Sequence, residues 1–441
     1  MVVIMAKTIF QDILEKETSL ALGCTEPMLF ALGGAIARKY CPGEIKKVHM
    51  EGCGLIVMGV QSVGVPNTGG KTGAFIATAC GLVAGDPDAG KQALHSVTPD
   101  DVKAAEELIE KADFSLEMDN STGRQVYTKM VISSDEHTVT LIFEDKHDNC
   151  AYIEADGKVI KDERTPLAEQ VNPFNDVDWG VFTIEGIWDF CKNCDISAIA
   201  KMKDAIAANK KLAEDGLNNP RGIQVARTLR DNIAKGQLAD SEFTQAVIWG
   251  TAGVDARMGG SDYPAMMSMC SGNQGTIITM SSWGAAQYLG IGEEETMRAI
   301  AFAYLINVFL KYNTKELAYM APMCYCSSTA SQAAVAGVAF LHGMSAKQIN
   351  DLLVTGVTCW SGIICDGAKN SCAFRVSTAL FGGLQALMLA EKGLRTSAND
   401  GFAHENAGIM MQNLYRMQKD VMYNKMDAIV WDIFKEQREI R

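Results

Sequence analysis

At 441 residues, with 48% apolar and 21% charged residues, the chain has material for a large core, by length alone in two domains, and is too apolar to be disordered. A formal net charge of −13 without any long lysine or arginine run excludes the basic surface that nucleic-acid phosphates demand and points to a small-molecule substrate. The start, "MVVIMAK", is too short in apolar length for an export signal, and no apolar run reaches the roughly 18–20 residues that cross a bilayer, so a cytoplasmic protein without membrane contact is expected.

In chain order, residues 8–17 and about 25–40 have helical spacing, with "CPG" (41–43) ending the second helix. Residues 46–60 have strand character, followed by the loop "GVPNTGGKTG" and an apolar helix through Cys80. A charged helix at 99–112 precedes two alternating stretches, 124–133 and 137–145, that read as a hairpin, and 149–160 reads as a third strand bent at Asp156-Gly157. After "KDERTPLAEQVNPF" the alternation stops. From Val181 onward helical spacing recurs between Gly, Asn and Pro breaks, giving roughly ten helices. The expected fold is α+β: an N-terminal α+β domain with a small antiparallel sheet (1–165), then a larger all-α domain (166–441).

Thirteen cysteines, an odd number, in a chain expected in a reducing compartment are free thiols, metal ligands or reactive groups. Cys365 and Cys372 flank the turn "DGAKNS", and in "APMCYC" Cys324 lies just after a proline. Thiolates at such points suit a soft metal centre of iron–sulfur type, although buried free cysteine is common enough that packing alone would also explain them. "LGCTEP" makes Thr25 a candidate N-cap with Pro27 in the first turn, which sets Cys24 beside a helix N-terminus where the dipole favours a thiolate. Cys24 is then a candidate base or nucleophile, and Glu26 either a dipole-compensating residue or a second acid/base group.

"VPNTGGKTG" is not a P-loop: with Lys71 and Thr72 as its terminal pair, the first glycine would fall on Val65. Asn67, Thr68 and the glycines after them can still present N–H groups to a carboxylate. Ser271, Asn273 and Gln274 of "CSGNQG" either hold a small polar substrate or make a helix connection. "CKNC" (191–194) lacks both the βαβ context of a redox motif and a second pair for zinc, and reads as structural.

Taken together and in this order, "SLALGCTEP", "NTGGKTG", "SGNQG", "APMCYC" and "ICDGAKNSC", spread from residue 19 to 372, resemble the L-cysteine desulfidase family, relatives of the iron–sulfur L-serine dehydratase α subunit. The resemblance implies a [4Fe-4S] lyase with no pyridoxal phosphate that turns L-cysteine into hydrogen sulfide, ammonia and pyruvate, or L-serine into water and the same products. It implies Cys324, Cys365 and Cys372 as cluster ligands, Cys324 being preferred over Cys326 because "APMC" parallels the family's "APTC". Cys24 becomes the base for the α-proton, with Thr25, Glu26, Asn67, Thr68, Ser271, Asn273 and Gln274 as candidate substrate contacts. Three ligands leave one iron open to assist the leaving group. Two alternatives stay open: a serine dehydratase with little desulfidase activity, and a cluster-bearing amino-acid sensor without turnover. A homo-oligomer is also expected.

Overall fold

The computed structural model describes residues 2–22, 24–167 and 177–439. Its first part runs α1 (Val2–Glu17), β1 (Leu20–Leu22), α2 (Thr25–Tyr40), β2 (Ile45–Gly52), α3 (Gly54–Val60), α4 (Ala74–Ala84), α5 (Pro99–Lys111), β3 (Asp113–Met118), β4 (Tyr127–Ser134), β5 (Thr138–Glu144), β6 (Cys150–Ala155) and β7 (Lys158–Asp162). The six-stranded sheet has the order β3-β2-β4-β5-β6-β7, antiparallel except for the parallel pair β2–β3. Alternation explains its buried face: Thr128, Met130 and Ile132 of β4 point one way and pack, with Val48, Leu141 and Phe143, beneath Leu29, Phe30 and Ala77 of α2 and α4.

Three local expectations change. The run 46–60 is not one strand: β2 stops at Gly52 and "GLIVMGV" winds into α3. Every residue of α3 is buried, and an apolar run buried all round carries no period that separates helix from strand. The bent third strand is a hairpin, β6–β7, closed by Asp156 and Gly157 at φ 51° and 77°, the positive values that a tight two-residue turn requires. β3 follows α5 directly and was not anticipated.

The second part contains α6 (Ile184–Asn193), α7 (Lys201–Asn218), α8 (Val225–Ala234), α9 (Glu242–Met258), β8 (Pro264–Met266), α10 (Gly272–Leu289), α11 (Glu293–Tyr312), α12 (Ser331–Leu341), α13 (Ala346–Trp360), α14 (Cys372–Glu391), α15 (Ala407–Met417) and α16 (Met426–Glu439). The α+β class with a larger helical second part is therefore the observed one. Helices α10, α11 and α12 are buried at almost every position, which is why their sequences show so little amphipathic contrast. By length and composition α14 alone among the described helices would suffice to cross a bilayer, but it packs against α9, α12 and α13 as a core helix.

The two parts are sewn together at several points. Phe10, Ile13 and Leu14 of α1 belong to the helical core, and β1 pairs with β8. The stretch expected to join the parts, 161–174, lies partly outside the described residues.

Candidate active site

Cys24 is the N-cap of α2, and Thr25, expected at the cap, is the first helical residue instead. No side chain caps the helix; the Cys24 thiol turns to donate to Glu26 Oε2 at 2.8 Å, and Thr25 Oγ1 donates to the same oxygen at 3.2 Å. The dipole expectation fails here. Burial, and after it the Glu26 charge, push the thiol well above its ordinary proton affinity, so Cys24 rests as a neutral thiol. Glu26 is held low against the cost of burial by His147 when that ring is protonated and by the Cys24 hydrogen bond, although burial itself disfavours the charged form of His147. His147, in the turn between β5 and β6, is buried with Nε2 unpartnered, and Arg257 at the end of α9 places a positive charge near both Cys24 and Glu26.

A second group of side chains gathers sulfur. The backbone of 322–324 runs beside 363–365 through bonds from Cys324 N to Ile363 O (2.8 Å) and from Cys365 N to Pro322 O (2.7 Å), which brings the two cysteines together. Cys372 opens α14, and Cys326 opens a π-type turn (Cys326–Ala330) that leads into α12. The four thiols perturb one another. Cys326 hydrogen-bonds Cys324, which lowers the Cys324 thiol and raises its own, and Cys365 and Cys372 are pushed up first by burial and then by the Cys324 charge. Ser327 Oγ also donates to Cys324 Sγ at 3.4 Å.

Soft donors on three chain segments fit an iron–sulfur group, which takes one thiolate at each of several separate irons. Among the described residues no three His, Cys, Asp or Glu side chains close on one point as a single metal ion would need. Sequence reasoning preferred Cys324 to Cys326; the structure places both at the group.

The two sites are neighbours through α3. A Cβ on Gly59 would stand 2.8 Å from Glu26 Cγ, and a Cβ on Gly367, in the loop between Cys365 and Cys372, would stand 2.4 Å from Met58 O. Lys369 of that loop also bridges to Ser62, just beyond α3. Within the loop Asp366 is held as a carboxylate by Lys369 and Arg375 against the cost of burial.

Of the residues in "CSGNQG", Ser271 caps α10 by accepting from Gln274 N, Asn273 Oδ1 accepts from Arg257 Nη1 (3.0 Å), and Gln274 Oε1 accepts from Lys311 Nζ and Asn307 Nδ2 (3.1 Å each). Lys311 is buried, and desolvation lowers it to about 8. The other loop is occupied with itself: Asn67 Nδ2 donates to Leu94 O, and Thr68 Oγ1 to Val65 O, both at 2.7 Å. His147, Arg257 and Lys311 were missed. Their only signal is a charge within otherwise apolar or short turn segments, which becomes informative once burial is known.

The family "Serine dehydratase alpha chain" matches residues 88–430. Along nearly the full length, a UPF0597 protein of Photobacterium profundum is 31% identical over 428 residues, covering 96% of this chain and 97% of its own. UPF0597 proteins of Dichelobacter nodosus and Oleidesulfovibrio alaskensis are each 30% identical, covering 95% and 97% of this chain and 94% and 97% of their own. Those names state no reaction.

Proposed function

The chain belongs to the serine dehydratase alpha chain family, and on that premise we propose that it is an iron–sulfur lyase acting on a small L-amino acid. In the leading form of this reading L-cysteine gives hydrogen sulfide, ammonia and pyruvate. The observation that carries it is the meeting of a part-buried thiol–carboxylate pair, Cys24 and Glu26, with a group of four thiols across the short helix α3.

The elimination has two difficult ends, a weakly acidic α-proton and a poor leaving group, and the chain provides for each. Cys24 Sγ takes the α-proton while its own proton passes to Glu26 Oε2, so the base unit is the pair and not a free thiolate. The Cys24 hydrogen bond and the Arg257 charge favour the ionised Glu26 that receives that proton. Cys324, Cys365 and Cys372 would hold a [4Fe-4S] cluster, with Cys326 beside them. When bound, the cluster supplies a Lewis-acidic iron for the departing sulfur or oxygen. The enamine released hydrolyses in water to the keto acid. Nothing in this scheme calls for a lysine Schiff base.

The same site would dehydrate L-serine, a reading favoured by the family match itself. The reaction is assigned to the reducing cytoplasm, where such thiols persist. Anaerobically purified protein should be brown, lose iron and colour on Cys365→Ala, and release pyruvate from L-cysteine and L-serine in proportions that rank the two substrates. Colourless protein under strict anaerobiosis, or no pyruvate from either amino acid, defeats the proposal.

A further inference from the structure

Arg257 is a buried cation without a matching anion. It is 3% exposed, its acceptor among the described residues is the Asn273 amide oxygen at 3.0 Å, and its Nε has no partner. Glu26 lies within electrostatic reach but forms no ion pair with it among the described residues. An uncompensated guanidinium in a protein interior is strongly unfavourable. A fold retains such a group when something anionic completes it.

What surrounds the guanidinium matches one kind of anion. A Cβ on Gly272, the first residue of α10, would stand 2.4 Å from Arg257 Nε, so the guanidinium lies directly against the start of this 18-residue helix. Gly272 and Asn273 are in the first turn, where N–H groups lack intrahelical acceptors and the helix dipole favours negative charge. A planar fork of donors beside a helix N-terminus suits a planar, two-oxygen carboxylate. We infer that Arg257, Asn273 and the first turn of α10 form the seat for the substrate α-carboxylate.

This seat rests on the reading of the site as an amino-acid lyase and adds which residues grip the substrate. Because Arg257 also acts electrostatically on Cys24, a carboxylate seated there brings the α-carbon to the side of the thiol that must take its proton. Asn273 aligns the guanidinium, and Gly272 leaves room for it. The Gln274 side chain is taken up by Lys311 and Asn307 instead.

The test uses L-alanine, which has the backbone of the substrate and no leaving group, against its amide, by calorimetric titration of the holoprotein. Wild type should bind L-alanine at least about tenfold more tightly than alaninamide. Arg257→Gln should weaken L-alanine about 10- to 100-fold and erase the preference, with iron content unchanged. Gly272→Ala removes no charge but forces the guanidinium aside, so it should weaken L-alanine in the same sense even if Arg257→Gln folds poorly. Folded variants that keep the wild-type affinity and preference overturn the seat, as does wild-type protein that binds alaninamide as tightly as L-alanine. Carboxylate-selective binding without pyruvate from cysteine or serine would keep the seat and reject the lyase, whereas turnover with wild-type binding in both variants would do the reverse.

Discussion

Cys24 and Glu26, two residues apart at the start of one helix, are joined by a thiol-to-carboxylate hydrogen bond of 2.8 Å. Glu26→Gln keeps the shape and removes the acceptor charge. With burial unchanged and the Glu26 charge gone, the Cys24 proton affinity falls, yet the thiol proton loses its destination. We expect kcat to drop about 10²- to 10³-fold and the residual activity to extend toward lower pH. A pH–rate profile of both proteins checks it; a kcat within twofold of wild type would dissolve the pair as a functional unit.

The sulfur group separates ligands from neighbours. Cys324→Ala, Cys365→Ala and Cys372→Ala should each lose the visible absorbance and the iron of anaerobic preparations. Cys326→Ala should keep both, because that thiol enters a π-type turn and hydrogen-bonds Cys324. Bleaching by Cys326→Ala with colour retained in Cys324→Ala would transfer the ligand role two residues along.

Lys311 carries a pH signature. Its folded value of about 8 lies below the ordinary lysine value of 10.5, so the unfolded chain holds this proton more tightly. Stability therefore rises with pH between about 8 and 10.5, and below 8 the burial penalty is constant. Lys311→Met removes the penalty and leaves Gln274 Oε1 its bond from Asn307. The variant should be more stable at pH 7, by roughly 3 kcal/mol at most, with the gain vanishing toward pH 10.5. Denaturant midpoints at pH 7 and pH 10 decide it; a gain that grows with pH contradicts the assignment.

Gly367 has φ +96° and lies against Met58 O, so Gly367→Ala meets both a strained backbone and a blocked approach. A loss of about 1–3 kcal/mol in unfolding free energy is expected, accompanied by poorer iron retention. Unchanged stability would mean that the loop and α3 adjust independently.

Much of this was legible beforehand, and the gaps have physical causes. The division into a sheet-bearing first part and a helical second part follows from period-two alternation in 124–145 and its absence after Val181. Cys365 and Cys372 showed themselves by flanking a polar turn inside apolar sequence. α3 was misread because complete burial removes periodicity, and the Cys24 proton affinity because a cap position was weighed without the desolvation that outweighs the dipole. Arg257 was invisible: a charged residue near a helix end looks ordinary until the fold closes over it. The side chains of Asn67 and Thr68, expected near the substrate, fasten their own loop, a use that sequence does not reveal.

The loop that carries Cys365 and Cys372 is stitched at Lys369 to the first part of the chain and at Ile364 to the segment before Cys324. On the proposed reading, a cluster held by Cys365 and Cys372 would sit on a strap fastened to both parts of the chain, so that losing the metal should slacken the seam against α3.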